Sequence, residues 1–193
     1  MPIAPPRQLV VVGGGMVAHR LVEALVDRGG VGSSDEGDGG WEVTVLAEEP
    51  RAPYDRVALT SYFSGRDPED LSLGQPELWE TPGVTLRRGE QVTTVDRAAQ
   101  QVTTAAGREF RYDALVLATG SSAFVPPVEG RDLAGCFVYR TIDDVAALRQ
   151  YVTDRQRDLP RPVTGVVVGG GLLGLEAAGA LTALGVDARW SSS

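Results

Sequence analysis

Two short glycine-rich stretches carry the residues with the most specific chemistry: Gly13-x-Gly15-x-x-Ala18 and Gly169-x-Gly171-x-x-Gly174. In the first, Gly13 permits a sharp turn out of a strand, and Gly14 and Gly15 let the backbone approach a diphosphate closely. Met16 opens the following helix, and Ala18 is small enough for helix and strand to pack. Phosphate oxygens then meet backbone N–H groups at the positive end of that helix. Glu48 ends the next apolar run, where a ribose can donate hydrogen bonds to its carboxylate. It lies about 30 residues past Ala18, against a usual spacing of about 20. The polar stretch 30–40 absorbs the difference as a surface insertion, and Glu49 reads as the solvated neighbour. Two such fingerprints in one chain imply two nucleotides brought together, as electron transfer between a nicotinamide and a flavin requires.

These turns need parallel strands before them and helices after them, and the repeat supplies both. Val10-Val11-Val12-Gly13-Gly14-Gly15 recurs in register as Val166-Val167-Val168-Gly169-Gly170-Gly171. The valine runs are continuous rather than alternating, as expected for strands covered on both faces. A helix is predicted from about Gly15 to Arg28, with Val17, Leu21 and Leu25 as its apolar stripe and Gly29 as its stop. A strand follows at Trp41–Ala47, then a loop and short helix over 50–65 and a helical turn at Pro76–Glu80. Further strands are predicted at 84–86, 92–95, 101–104 and 115–118. Residues 149–162 are polar, hold two prolines, and read as a linker.

Composition narrows the function. The 193 residues include 18 Lys and Arg against 26 Asp and Glu, a net charge of −8, without the basic surface that nucleic acid demands. The single cysteine, Cys136, rules out an internal disulfide and any Cys-rich metal site, and fits a reducing cytoplasm. Cys136 is expected to be buried, and His19, the one histidine, to be a packing or solvated residue. The N-terminus lacks a signal-peptide pattern. Residues 163–186 are apolar, but their glycines and Glu176 argue for strand, turn and helix rather than a membrane span.

The motif order resembles the two-dinucleotide-binding flavoproteins of the pyridine nucleotide-disulfide oxidoreductase superfamily: GGGMVAHR, the acid after the second strand, YDALVLATGS, VPPVEG, YRTIDD and GVVVGGGLLGLEAA. Within it, EEPRAPYDRVALTSYF followed by FVYRTIDDV is similar to the N-terminal part of the large subunit of NAD(P)H-dependent assimilatory nitrite reductases. The resemblance implies FAD on the first fingerprint and NAD(P)H on the second. It implies that Ala118, Thr119 and Gly120 lay backbone against FAD, that Val92 meets the adenine side, and that Arg140 lies near the flavin groove. Arg51 and Arg56 would neutralise pyrophosphate or be ordinary surface arginines. Glu176 would stand near the meeting point of nicotinamide and flavin, or be a helix-face carboxylate paired elsewhere. The chain departs from ferredoxin-reductase relatives at Leu59-Thr60-Ser61, where they carry a lysine, and from the disulfide-reductase branch in lacking a cysteine pair.

The expected fold is α/β: a Rossmann-type parallel sheet with an antiparallel insertion, and a truncated second Rossmann unit. The expected organisation is an FAD-binding domain over 1–150, a linker over 151–162, and the start of an NAD(P)-binding domain over 163–193. The tail after Gly185 lacks the apolar run that a further strand requires. Read one base differently, one codon set for Ala188–Ser193 encodes Thr-Val-Val-Glu-Phe, so a frameshift in a longer reading frame is the expected origin of the tail. The parent enzyme would carry sirohaem and an iron–sulfur cluster in downstream modules or work with a small subunit. Alone, the chain is expected to bind FAD weakly and to be inactive with NADH. A ferredoxin- or rubredoxin-type reductase and a non-catalytic FAD-binding module are the alternatives.

Overall fold

In chain order, the first compact unit is built from β1 (Arg7–Val12), α1 (Met16–Asp27), β2 (Trp41–Ala47), β3 (Val84–Arg88), β4 (Val92–Asp96), β5 (Gln101–Thr104), β6 (Glu109–Arg111) and β7 (Ala114–Leu117). The protein is seen here in a computed structural model that describes residues 5–32, 40–64 and 67–191. Most of the insertion expected at 30–40 therefore falls outside the described residues.

β1, β2, β3 and β7 form one parallel sheet in the order β3-β2-β1-β7. β1 shows why its sequence is apolar without interruption. Val11 points to the α1 side, with Ala18, Val22, Val43 and Val45, while Val10 and Val12 join Leu46 and Val102 on the other face. Both faces are dry, so every position is apolar. Val11, Val22 and Val45 are fully buried, and each contributes about 2 kcal/mol by leaving water. β4, β5 and β6 form an antiparallel sheet whose Val102 closes the second face. The predicted strands and the turn at Pro76–Glu80 are all present, the latter as a 3-10 helix.

The buried face of α1 is Ala18, His19 and Val22, with Leu21, Leu25 and Val26 packed beside it. Val17 is 69% exposed. It was expected in the apolar stripe, but it lies one residue short of the face that Ala18 and Val22 define, at about 100° per residue. The helix stops as predicted. Gly29 takes φ +65°, its N–H donates to Val26 O, and the Gly30 N–H donates to Leu25 O, the two bonds of a Schellman stop.

The second unit comprises residues 55–71 and 121–193. It contains 3-10 helices at Val57–Ser64 and Pro68–Leu71, then α2 (Ile142–Asp158), β8 (Thr164–Val168), α3 (Leu172–Ala183) and β9 (Asp187–Ser191). α2 runs through Asp158 and so occupies most of 149–162. One expectation is corrected here, because a strand forms in the tail: β9 pairs parallel to β8 from Thr164↔Asp187 to Val168↔Ser191. Backbone pairing holds it, aided by the Trp190 Nε1–H donating to Gly169 O at 2.7 Å, so no apolar run is needed. The span 163–186 is strand, turn and helix, and among the described residues no helix is long and apolar enough to cross a membrane. Val152, Val163 and Val186 are this unit's buried cluster, with Leu148, Leu159, Leu181 and Leu184 around them.

Candidate functional site

In the first unit the strand order reverses between β1 and β7, and ligands of open α/β sheets bind outside the carboxyl ends of strands at such a point. Gly13–Gly15 leave the end of β1 there, and Ala118 leaves the end of β7 beside them. The Gly13 N–H donates to Leu46 O at 2.9 Å and the Ala118 N–H to Val12 O at 2.8 Å. Gly13 has φ +114°, and a Cβ on it would run into the Ala118 carbonyl; a Cβ on Gly14 would strike Ala47. Those two glycines are required by the chain's own packing. Gly15 is not: its φ is −97°, and a Cβ there would meet no atom within 4 Å. Its bareness leaves open space on that side of the turn.

The second turn repeats this logic. A Cβ on Gly174 would collide with Gly169 O, whereas one on Gly171 would meet nothing within 4 Å. Gly171 has φ −90°, so any residue fits its backbone. The helix also ends on the same stop, with the Gly185 N–H donating to Thr182 O and the Val186 N–H to Leu181 O.

Helix N-termini distinguish these turns from the rest of the chain. α1 and α3 both begin at a glycine cap with no side-chain bond and no acid in the first turn. α2 begins instead with a capping box: Thr141 Oγ1 accepts from the Asp144 N–H, and Asp144 Oδ2 accepts from the Thr141 N–H at 2.8 Å. α2 satisfies its own positive end. The open ends of α1 and α3 are suited to anions.

Around the first turn, Glu48 directly follows Ala47 and is exposed, its Oε1 accepting from Gln91 Nε2 at 2.9 Å. Val92 is next to Gln91 and packs on the Val102 cluster. Glu49 was expected to be the solvated neighbour. It is half-buried, and its Oε2 accepts from the Tyr54 hydroxyl at 2.8 Å. Arg51 is half-buried in the same unit, and Met16 is 38% exposed at the start of α1. Thr119 and Gly120 are exposed.

In the second unit Arg140 grips Ser121, with Nε donating to its carbonyl at 3.1 Å and Nη2 to its hydroxyl at 2.9 Å. Arg56 Nη1 donates to Arg140 O at 3.4 Å. Glu176 is half-buried on α3 and accepts from Thr60 Oγ1 at 3.4 Å, and Thr60 in turn lies 3.0 Å from the Tyr139 hydroxyl. Burial raises the Tyr139 phenol above its ordinary value; the Thr60 hydroxyl partly opposes this, and the Glu176 charge adds to it. From sequence, Thr60 stood out only as part of the Leu59-Thr60-Ser61 departure, and Tyr139 was not singled out. His19 is buried, edge-on to Trp79 with ring centroids 6.0 Å apart, a packing residue as expected. Cys136, expected inside, is exposed on a loop of turns, with Sγ near Gly130 O. Residues 131–137 are all exposed, so the thiol shares the exposure of its segment.

The sequence pattern of the pyridine nucleotide-disulphide oxidoreductase family matches residues 7–190. The chain belongs to this family. It is 43% identical over 180 residues to the nitrite reductase (NADH) large subunit of Escherichia coli (strain K12), covering 93% of this chain and 20% of that protein. It is 46% identical over 179 residues to the NAD(P)H nitrite reductase large subunit of Klebsiella oxytoca, covering 93% and 17%. The crystal structure of the covalent putidaredoxin reductase–putidaredoxin complex is similar with a TM-score of 0.75 and 26% identity, over 97% of this chain and 42% of that one. The chain therefore spans about a fifth of the length of the two reductases. Cys136 is the sole cysteine of these 193 residues, so no disulfide forms within them.

Proposed function

We propose that this chain is the nucleotide-handling front part of an FAD-dependent NAD(P)H oxidoreductase of the nitrite reductase type. One observation carries the reading: two strand–glycine–helix junctions, each with an uncapped helix end and a glycine whose bare side faces open space. Gly15 and Gly171 are glycines for which the chain's own packing gives no reason, and a close-lying diphosphate supplies one.

The residues fit the two cofactors. Gly13–Met16 and Ala18 would hold the FAD diphosphate at α1, with Glu48 accepting from the adenosine ribose, Val92 offering backbone towards the adenine, and Ala118–Gly120 laying main chain along the cofactor. Arg51 would supply positive charge. Gly169, Gly171 and Gly174 would hold the NAD(P)H diphosphate at α3, with Glu176 one turn further on. When bound, the nicotinamide and flavin supply two-electron chemistry; the chain supplies position and charge. Electrons would then leave for downstream modules or a separate subunit carrying sirohaem and an iron–sulfur cluster, where nitrite is reduced. The low cysteine content suits a cytoplasmic setting. Leu59-Thr60-Ser61, without the lysine that ferredoxin-reductase relatives carry in this segment, supports this assignment over a ferredoxin-type reductase.

The test is nucleotide titration of the purified chain, reading FAD fluorescence for one ligand and NADH fluorescence for the other. Gly15→Glu should abolish FAD binding and spare NADH, and Gly171→Glu should do the reverse. If both variants bind like the parent chain, or the parent chain binds neither nucleotide, the proposal is wrong.

A further inference from the structure

The 3-10 helix Val57–Ser64 presents Thr60 between two partners from distant parts of the sequence, Tyr139 at 3.0 Å and Glu176 at 3.4 Å. A threonine hydroxyl has one proton to give. Thr60 gives it to Glu176 Oε2, so the remaining contact runs the other way, with the Tyr139 hydroxyl donating to Thr60. The result is a directional chain, Tyr139 O–H to Thr60 O–H to the Glu176 carboxylate. Its base is braced. Phe63 stacks on the Tyr139 ring, with centroids 6.1 Å apart and planes at 24°. Arg149 Nη1 holds the Tyr62 carbonyl at 3.0 Å, and Arg56 holds the carbonyl of Arg140, the residue after Tyr139.

We propose that Thr60 and Tyr139 are positioning residues that hold Glu176 as an oriented carboxylate one turn from the second glycine junction, ready to accept a hydrogen bond from an N–H or O–H of the nucleotide there. This rests on the reading of Gly169–Gly174 as a nucleotide site. Thr60 engages one lone pair of Glu176 Oε2, and Oε1 stands outside this chain of bonds. The Thr60 hydroxyl carries no charge, so holding Glu176 through it leaves the carboxylate's negative charge for the ligand. Burial is the main cause of the raised proton affinity of Tyr139; the Thr60 hydroxyl, the bridge between the two groups, opposes it, and the nearby Glu176 charge adds to it. The other charged groups around the chain are Arg56, Arg140 and Arg149, tied to Arg140 O, Ser121 and Tyr62 O, and Asp143 and Asp144 at the start of α2, Asp144 being engaged by Thr141.

Two measurements on the whole chain separate this relay from the nucleotide reading. The first is titration of the tyrosine ring carbons by NMR, with Tyr139 assigned by its loss in Tyr139→Phe. Glu176→Gln should lower the Tyr139 midpoint and Thr60→Val should raise it, while Thr60→Ser leaves it in place. A Tyr139 midpoint indifferent to Glu176→Gln overturns the relay. The second is the NADH dissociation constant. Thr60→Val should weaken binding about tenfold, roughly the value of one hydrogen bond to a charged group, and Thr60→Ser should restore it. If the unmodified chain binds NADH and Thr60→Val binds it equally well, the positioning role is wrong. If the unmodified chain binds no NADH while the titration behaves as stated, the relay stands and the nucleotide reading falls.

Discussion

The carbonyl of Ala118 occupies the place where a side chain on Gly13 would have to go. β1 and β7 are neighbours in the sheet, so the exit of one strand is shaped by the exit of the other, and the turn closes only without a Cβ. Gly13→Ala should therefore cost about 3 kcal/mol, combining a left-handed φ with a backbone clash. Urea unfolding measures this.

Gly15→Ala separates packing from binding. Its φ is ordinary and its surroundings are open, so stability should change by no more than about 0.5 kcal/mol. FAD affinity should nevertheless fall by about tenfold or more, because the methyl group occupies the ligand's space. Equal affinities in a fluorescence titration would refute the assignment of that space.

Glu48 and Glu49 should respond oppositely. Glu48 is exposed and contacts Gln91, so Glu48→Ala should leave the urea midpoint alone and weaken FAD binding about tenfold. Glu49 takes the hydroxyl of Tyr54, which is 4% exposed. Glu49→Ala should cost about 1 kcal/mol of stability and affect FAD less.

The start of α2 offers a prediction on stability alone. Thr141→Ala removes the cap that satisfies the Asp144 N–H and should cost about 1 kcal/mol, with both nucleotide affinities unchanged.

Alkaline pH should weaken the fold through Tyr139. Its phenol is raised above 10.0, so the folded state holds the proton that the unfolded chain releases near pH 10. The associated stability is complete below that pH and is lost as pH rises through the folded value. Urea midpoints measured from pH 9 upward should fall less steeply for Tyr139→Phe than for the unmodified chain.

The first junction was legible in sequence because strand, turn and helix are contiguous and each has its own period. β2 was read to the residue because its ends are marked by Trp41 and Glu48. α2 was missed because its buried residues, Ile142, Val145 and Val152, are sparse among charges, although the Thr141-x-x-Asp144 spacing is a readable start signal. β9 escaped because pairing with β8 compensates for a polar strand. The Thr60–Tyr139–Glu176 chain was out of reach, since its contacts join residues 79 and 116 positions apart. No local pattern encodes such a meeting. The open space at Gly15 is likewise a property of neighbours that sequence spacing does not describe.

β1 is flanked by β2 on one side and β7 on the other, so its main-chain N–H and C=O groups are committed in both directions. Such a strand releases its amides to deuterium only when the whole unit opens. The Gly13–Gly15 turn is thus suspended from a strand that is hydrogen-bonded along both edges. Its shape is inherited from the sheet and need not be organised anew each time a phosphate arrives.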